Sequence, residues 1–225
     1  MKYDIRKYEI RNTKYEIMAN QLRISHFVLR TSSCLSFIKF WCILMHEATS
    51  KRGNTMNIKT LYTAEQIQEA VQRTAQQVEA FFGSEEPVVA LCLLNGGIWY
   101  AADLLRHLPT NFELQTIRIS SYAGTESSGK LQWHNALPDC KGKQVLVIDD
   151  VLDTGLTMKE VCQALRANGA TKVASAVAIN KKGRRTVEHE ADFCALHCND
   201  YFLVGYGLDF NGKYRNLPFI GYIEA

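Results

Sequence analysis

The 225-residue chain lacks any apolar run long enough to cross a bilayer. Cys34 to Met45 is apolar but short and is broken by Lys39, whereas a spanning helix needs about 20 predominantly apolar residues. Its distance from the first residue and its lack of a cleavage pattern argue against a secretory leader. The expectation is a soluble, cytoplasmic protein without a membrane partner. A disulfide framework is missing too: seven cysteines are an odd number, and only Cys194 and Cys198 are spaced closely enough to suggest a shared ligand. Reduced thiols follow, with Cys92 and Cys162 read as small core residues on apolar faces. Nor is there a broad basic footprint. Of 26 basic and 23 acidic residues, ten and four fall in residues 1–55, so the rest of the chain carries 16 and 19. That mildly acidic remainder excludes the usual charge pattern of a nucleic-acid binder.

The composition that remains, nearly half apolar, suffices for one globular domain with a full core. Residues 1–55 stand apart from it. Lys2 to Ile17 repeats KYDIR, KYEIR and KYEI, a low-complexity run with no helix face that would pack on a core. The reading is an N-terminal extension over 1–55, dispensable or not natively translated, and one folded domain over 56–225.

The domain is organised around Lys143 to Met158, KQVLVIDDVLDTGLTM. Val145, Leu146, Val147 and Ile148 form the continuous apolar run of a strand buried on both faces, and Asp149 and Asp150 follow it directly. Asp153, Thr154, Gly155, Leu156 and Thr157 then make a short turn. Met158, Val161, Cys162 and Leu165 recur at the spacing of one helix face, and Asn168 and Gly169 end the helix. The turn therefore lies at a helix N-terminus, where free N–H groups and the helix dipole favour a phosphate. The neighbouring aspartates suit sugar hydroxyls, magnesium or a proton.

This string resembles the phosphoribosyl-diphosphate signature of the type I phosphoribosyltransferases: a buried strand, two acidic residues, then a D-[ST]-G-x-T loop. That family commonly has Glu then Asp where this chain has Asp149 then Asp150. The resemblance implies an α/β fold, a twisted parallel sheet flanked by helices, with a small hood over a crevice at the strands' carboxyl ends. It also implies Mg2+ as cofactor and an assembly of identical subunits, a dimer or tetramer.

Elsewhere the domain has a regular pattern. Thr63 and Gln66 form a possible capping box for a helix whose inner face is Ile67, Ala70, Val71, Val78 and Phe81, ending at Gly83. Val88 to Leu94 is a buried strand. It turns through Asn95, Gly96 and Gly97 into a helix with Ile98, Ala101, Ala102 and Leu105 inward. Phe112 to Ile119 is a third strand, and the small, polar residues from Ser121 to Lys130 follow as a mobile loop. Val173 to Ile179 is a fourth strand in a right-handed parallel unit, and Asn180 to Arg185 reads by composition as a solvated basic loop. The segment Tyr201 to Leu217, YFLVGYGLDFNGKYRNL, resembles the purine-binding segment of the hypoxanthine-guanine members of the family.

The resemblance implies roles for these positions. Asn95 and Gly96 sit where the family binds pyrophosphate, although Asn95 replaces a residue that is usually basic. Ser121 and Tyr122 belong to the lid that keeps water from the reacting centre. Lys181 donates to the exocyclic oxygen of a 6-oxopurine, Phe202 stacks on the base, and Leu203 offers its carbonyl to the purine edge. From residues alone Phe202 reads as core. Asp209 binds magnesium beside Asp149 and Asp150, and Arg215 reaches pyrophosphate. Asp153 is the catalytic base, Asp150 holds the ribose, and Thr154, Gly155, Leu156 and Thr157 grip the 5′-phosphate. The implied activity is purine salvage, transfer of the phosphoribosyl group to hypoxanthine or guanine. Two alternatives stay open: a non-catalytic regulator of the same fold that binds nucleic acid, and a transferase for xanthine or a pyrimidine.

Overall fold

A computed structural model describes residues 57–121 and 131–224. The extension over 1–55 and the loop from Tyr122 to Lys130 lie outside these residues.

Six strands form the main sheet: β2 (Val88–Leu94), β3 (Phe112–Ser121), β4 (Leu131–Trp133), β5 (Gln144–Leu152), β6 (Lys172–Lys181) and β7 (Phe193–Cys198), in the order β4-β3-β2-β5-β6-β7. All neighbours pair in parallel except β3 and β4, where Ile119 faces Trp133 across an antiparallel pair. Parallel strands need both faces covered, and the sequence supplies this by alternation. Val88, Ala90 and Cys92 of β2, with Leu146 and Ile148 of β5, pack on one face against helices α1 (Ala64–Phe82) and α2 (Ile98–Leu105). Val89, Leu91, Leu93, Val145 and Val147 pack on the other against α3 (Leu156–Ala167). Buried Cys92 and Cys162 take part in this packing, and burial pushes their thiols up to about 12 and about 11.

The helix ends follow local chemistry. Thr63 caps α1 through a reciprocal capping box with Gln66, and Gly83 closes it. The inner face of α3 is Met158, Val161, Cys162 and Leu165, as expected. Two faces are rotated from expectation. Phe82, not Phe81, is buried at the end of α1; Phe81 is 43% exposed and packs edge-on against Phe82 and Phe193 beneath the Lys172 ammonium. In α2 the buried residues are Tyr100, Ala101 and Leu104, while Ile98 and Ala102 face outward. In α2 the larger Tyr100 takes the interior in place of Ile98, and in α1 one phenylalanine takes the place of its neighbour, choices that periodicity alone leaves open.

Leaving β2, the chain goes to β3 on one side; β5 then takes the opposite side of β2. A crevice opens at such a reversal, outside the carboxyl ends of the two strands. The carboxyl end of β2 leads into Asn95 and Gly96, and that of β5 carries Asp149 and Asp150. A second sheet, β1 (Ile58–Tyr62), β9 (Ile220–Ile223) and β8 (Leu203–Val204), is antiparallel. It is the small hood, joined from β7 through Asn199 to Phe202.

Candidate active site

Asp149 and Asp150 do not follow β5 but lie within it; Asp149 pairs in register with Val177 of β6. The backbone N–H of Asp150 donates to Asp149 Oδ1 at 2.9 Å. Burial, reinforced by the neighbouring Asp150 charge, holds the Asp149 carboxyl well above the usual carboxylate range. Burial also raises Asp150, with Arg215 among the groups that oppose the rise. Two adjoining carboxylates with little positive charge around them form a site that favours a cation or a proton.

The turn from β2 into α2 is pressed against this pair. Gly96 is buried, and a Cβ there would overlap the Asp150 carboxylate, so only glycine permits the approach. A Cβ on Gly97 would lie 2.8 Å from the Leu93 carbonyl and 3.1 Å from that of Ile148. Asn95 is exposed at the lip of the turn.

Beyond Leu152 the chain bends through Asp153 and Thr154 to Gly155, whose φ of +85° starts α3. Thr154 is exposed, Gly155 buried, Leu156 and Thr157 half-buried. Leu156 N–H donates to Thr154 Oγ1 at 3.4 Å. The first turn of α3 supplies the expected anion-favouring terminus.

Lys181 is the largest departure from the solvated loop that composition suggests. It is the last residue of β6 and only 6% exposed, and Asn180 beside it is 5% exposed. Its ammonium stands 3.6 Å from Asp153 Oδ1 and 3.2 Å from Asp200 Oδ1. Arg184 closes the ring, 3.8 Å from Asp153 Oδ2 and 3.8 Å from Asp200 Oδ1. Asp153 Oδ1 is buried without a hydrogen bond, an acceptor left for something else to fill.

Asp200 directly precedes Tyr201 and Phe202. Tyr201 stacks on Tyr222 at 4.6 Å, and Phe202 meets Phe210 edge-on at 5.5 Å. Phe202 is nevertheless 53% exposed, contrary to the core position that residue type alone suggests. About half of its side chain is therefore open to a ligand. Leu203 is buried in β8, opposite Tyr222.

Asp209 and Arg215 form an ion-paired corner that is tied to the backbone on both sides. Arg215 Nη2 donates to Asp209 Oδ1 at 2.6 Å, its Nη1 reaches the Gly207 carbonyl at 2.5 Å, and Asp209 Oδ2 accepts from Gly212 N–H at 2.7 Å. Gly207 in turn lies against Gly96; a Cβ on it would clash with the Gly96 carbonyl. Among the described residues no three metal-ligating side chains converge, so Asp209 does not join Asp149 and Asp150 in one cluster. The lid expected at Ser121 and Tyr122 lies outside the described residues from Tyr122 onward; Ser121 ends β3.

Sequence reasoning missed three participants. Asp200 carried no signal, being one acid among turn residues. Arg184 and Arg185 were visible only as basic loop. Arg185 is largely enclosed and donates to the carbonyls of Leu152 and Asp153 at 3.1 and 2.7 Å.

A switch-point crevice with paired aspartates, a helix N-terminus and a buried lysine suits a phosphorylated sugar as ligand. The chain belongs to the phosphoribosyltransferase family: residues 57–211 match the phosphoribosyl transferase domain. It is 39% identical to a hypoxanthine-guanine phosphoribosyltransferase of Aquifex aeolicus over 74% of this chain and 95% of that protein. It is 33% identical to a hypoxanthine-guanine-xanthine phosphoribosyltransferase of Tritrichomonas foetus, over 74% and 91%. The fold matches the crystal structure of a hypoxanthine-guanine phosphoribosyltransferase from Bacillus anthracis with a TM-score of 0.69 and 32% identity, covering 76% of this chain and all of that one. Among the described residues no helix is long and apolar enough to cross a membrane.

Proposed function

We propose that this chain is a purine salvage transferase that moves the 5-phosphoribosyl group from phosphoribosyl diphosphate to hypoxanthine or guanine, giving IMP or GMP and pyrophosphate. The observation that carries the reading is the Lys181 ammonium, buried at the end of β6 between Asp153 and Asp200. It lies beside the anion-favouring turn and a hood that exposes Phe202. A buried cation at that point selects an exocyclic oxygen acceptor, and an exposed aromatic side chain selects a planar base.

The residues divide the work as follows. The 5′-phosphate rests on the backbone N–H groups of Thr154, Gly155, Leu156 and Thr157, and Asp150 accepts from the ribose hydroxyls. Asn95 and Gly96 hold the pyrophosphate from one side and Arg215 from the other. The purine lies on Phe202, its C6 oxygen takes a hydrogen bond from Lys181, and the Leu203 carbonyl accepts from the guanine 2-amino group. As the bond from ribose C1′ to pyrophosphate breaks and that to purine N9 forms, Asp153 accepts the proton at N7. Keeping water from the ribosyl cation is the role assigned to Ser121 and Tyr122 by the resemblance.

The acidic pair fits Mg2+. Burial raises both Asp149 and Asp150, so a divalent cation relieves an excess of negative charge there, and Mg2+ commonly combines one or two carboxylates with substrate phosphates and water. Asp209 offers a further carboxylate near Arg215. The ion, when bound, neutralises charge on the leaving pyrophosphate.

The same reading carries a cytoplasmic homo-oligomer, a dimer or tetramer. Free cysteines at 92, 140, 162, 194 and 198 accord with a reducing compartment, and light scattering measures the assembly. The test of function is turnover with phosphoribosyl diphosphate and each of hypoxanthine, guanine, xanthine, adenine and uracil. Hypoxanthine and guanine are expected first, xanthine weakly, adenine and uracil not at all. Xanthine is the base to watch, since the Tritrichomonas relative carries it in its name. Turnover with none of the five would overturn the reading.

A further inference from the structure

We propose that Arg185 is a positioning residue for the transfer, holding the catalytic base and the phosphate-gripping turn in one geometry; the inference rests on the reading above. Its Nη1 donates to the carbonyls of Leu152 and Asp153 at 3.1 and 2.7 Å. Its Nη2 donates to Asn180 Oδ1 at 2.6 Å and stands 3.3 Å from Glu190 Oε2. Asn180 in turn donates to the same Glu190 oxygen at 3.0 Å. One guanidinium thus ties the end of β5, the end of β6 and the segment after Arg184 together. Its stem covers the turn as well: Arg185 Cδ is 2.9 Å from where a Cβ on Gly155 would stand, and Thr186 N–H donates to the Thr154 carbonyl at 3.0 Å.

The consequence falls on Asp153. Its Oδ1 faces the Lys181 ammonium at 3.6 Å, too far for a hydrogen bond, and is buried with none. Opposite charges at that distance attract, so a free backbone would let the carboxylate close onto Lys181 and consume both groups. The backbone carbonyl of Asp153 is held by Arg185 instead. The base remains an open acceptor, and the lysine remains a donor to the purine. A lysine at 185 cannot do the same, because a single ammonium lacks the planar fork that reaches two carbonyls and an amide oxygen together.

The test compares the full-length protein with Arg185→Lys and Arg185→Ala, each normalised to folded protein by circular dichroism. Arg185→Lys should lower kcat roughly 10 to 100-fold, the scale of a misplaced catalytic group, and raise KM for phosphoribosyl diphosphate. KM for hypoxanthine should rise as well, because a Lys181 drawn onto Asp153 no longer donates to the purine C6 oxygen. Added methylguanidine should restore part of kcat to Arg185→Ala. An Arg185→Lys protein that keeps kcat and KM for phosphoribosyl diphosphate within about twofold overturns the inference, and so does a loss confined to thermal stability with constants per folded molecule unchanged. If Arg185→Ala does not fold, Arg185→Lys decides alone. The underlying reading fails separately, when the unmodified protein does not turn over.

Discussion

Replacing Lys181 by Ala removes the only buried ammonium among the described residues, and its cost divides into two measurable parts. The side chain is 8% exposed, whereas its partners Asp153 and Asp200 are 34% and 51% exposed. Water and Arg184, 3.8 Å from each carboxylate, screen the charges that are left, so folding should lose only about 1 kcal/mol, in the range of solvent-exposed pairs. The purine loses more. A hydrogen bond from an ionised donor is worth about 1.5 to 3 kcal/mol, so kcat/KM for hypoxanthine should fall roughly 10 to 150-fold. Binding of phosphoribosyl diphosphate, which does not touch Lys181, should change little. The same geometry refuses adenine, whose amino group would present a donor to a donor. The assay is steady-state turnover with hypoxanthine, guanine and adenine, alongside calorimetric binding of phosphoribosyl diphosphate. Adenine used as well as hypoxanthine by the unmodified protein, or a Lys181→Ala protein within threefold of it on hypoxanthine, would refute the reasoning.

Asp153→Asn should lower kcat about a hundredfold or more, the range for loss of a general base, with phosphoribosyl diphosphate still bound; near-normal kcat at saturation would leave Asp153 a binding role only. His189 is held below its usual pKa, chiefly by burial, with Asp192 and Glu190 opposing and Arg166 and Arg185 assisting. The unfolded chain therefore takes up a proton that the folded one refuses, and this contribution to stability is lost as pH falls through the usual histidine range and below. Thermal melts of the parent and of His189→Gln between pH 8 and 5 should diverge, the parent losing more on acidification; parallel curves would exclude the effect. A chain starting at Met56 should fold and turn over at the parent rate, because residues 57–211 match the family and the extension has no core-facing pattern; a truncated protein without cooperative unfolding or activity would show that the extension packs on the domain.

Local chemistry was legible from the residues. The capping box at Thr63, the four-residue face of α3 and the apolar run before Asp149 are set by neighbours a few positions apart, where 3.6-residue and two-residue periods leave a plain trace. The turn at Asp153 to Thr157 was legible for the same reason. Where the interior offered a choice between adjacent side chains, as with Phe81 and Phe82 or Ile98 and Tyr100, the contacts of the sheet decided. The same holds for Lys181 and Asn180. Their sequence neighbourhood is basic and polar, but the extra length of β6 carries them into the interior, where Asp153 and Asp200 compensate the buried charge. Gly96 against Asp150, Gly207 against Gly96, and Arg185 on the carbonyls of Leu152 and Asp153 join residues that are 30 to more than 100 positions apart. No local period records such meetings. They follow from the reversal of strand order between β2 and β5 and from the hood folding back, so they belong to the tertiary structure alone.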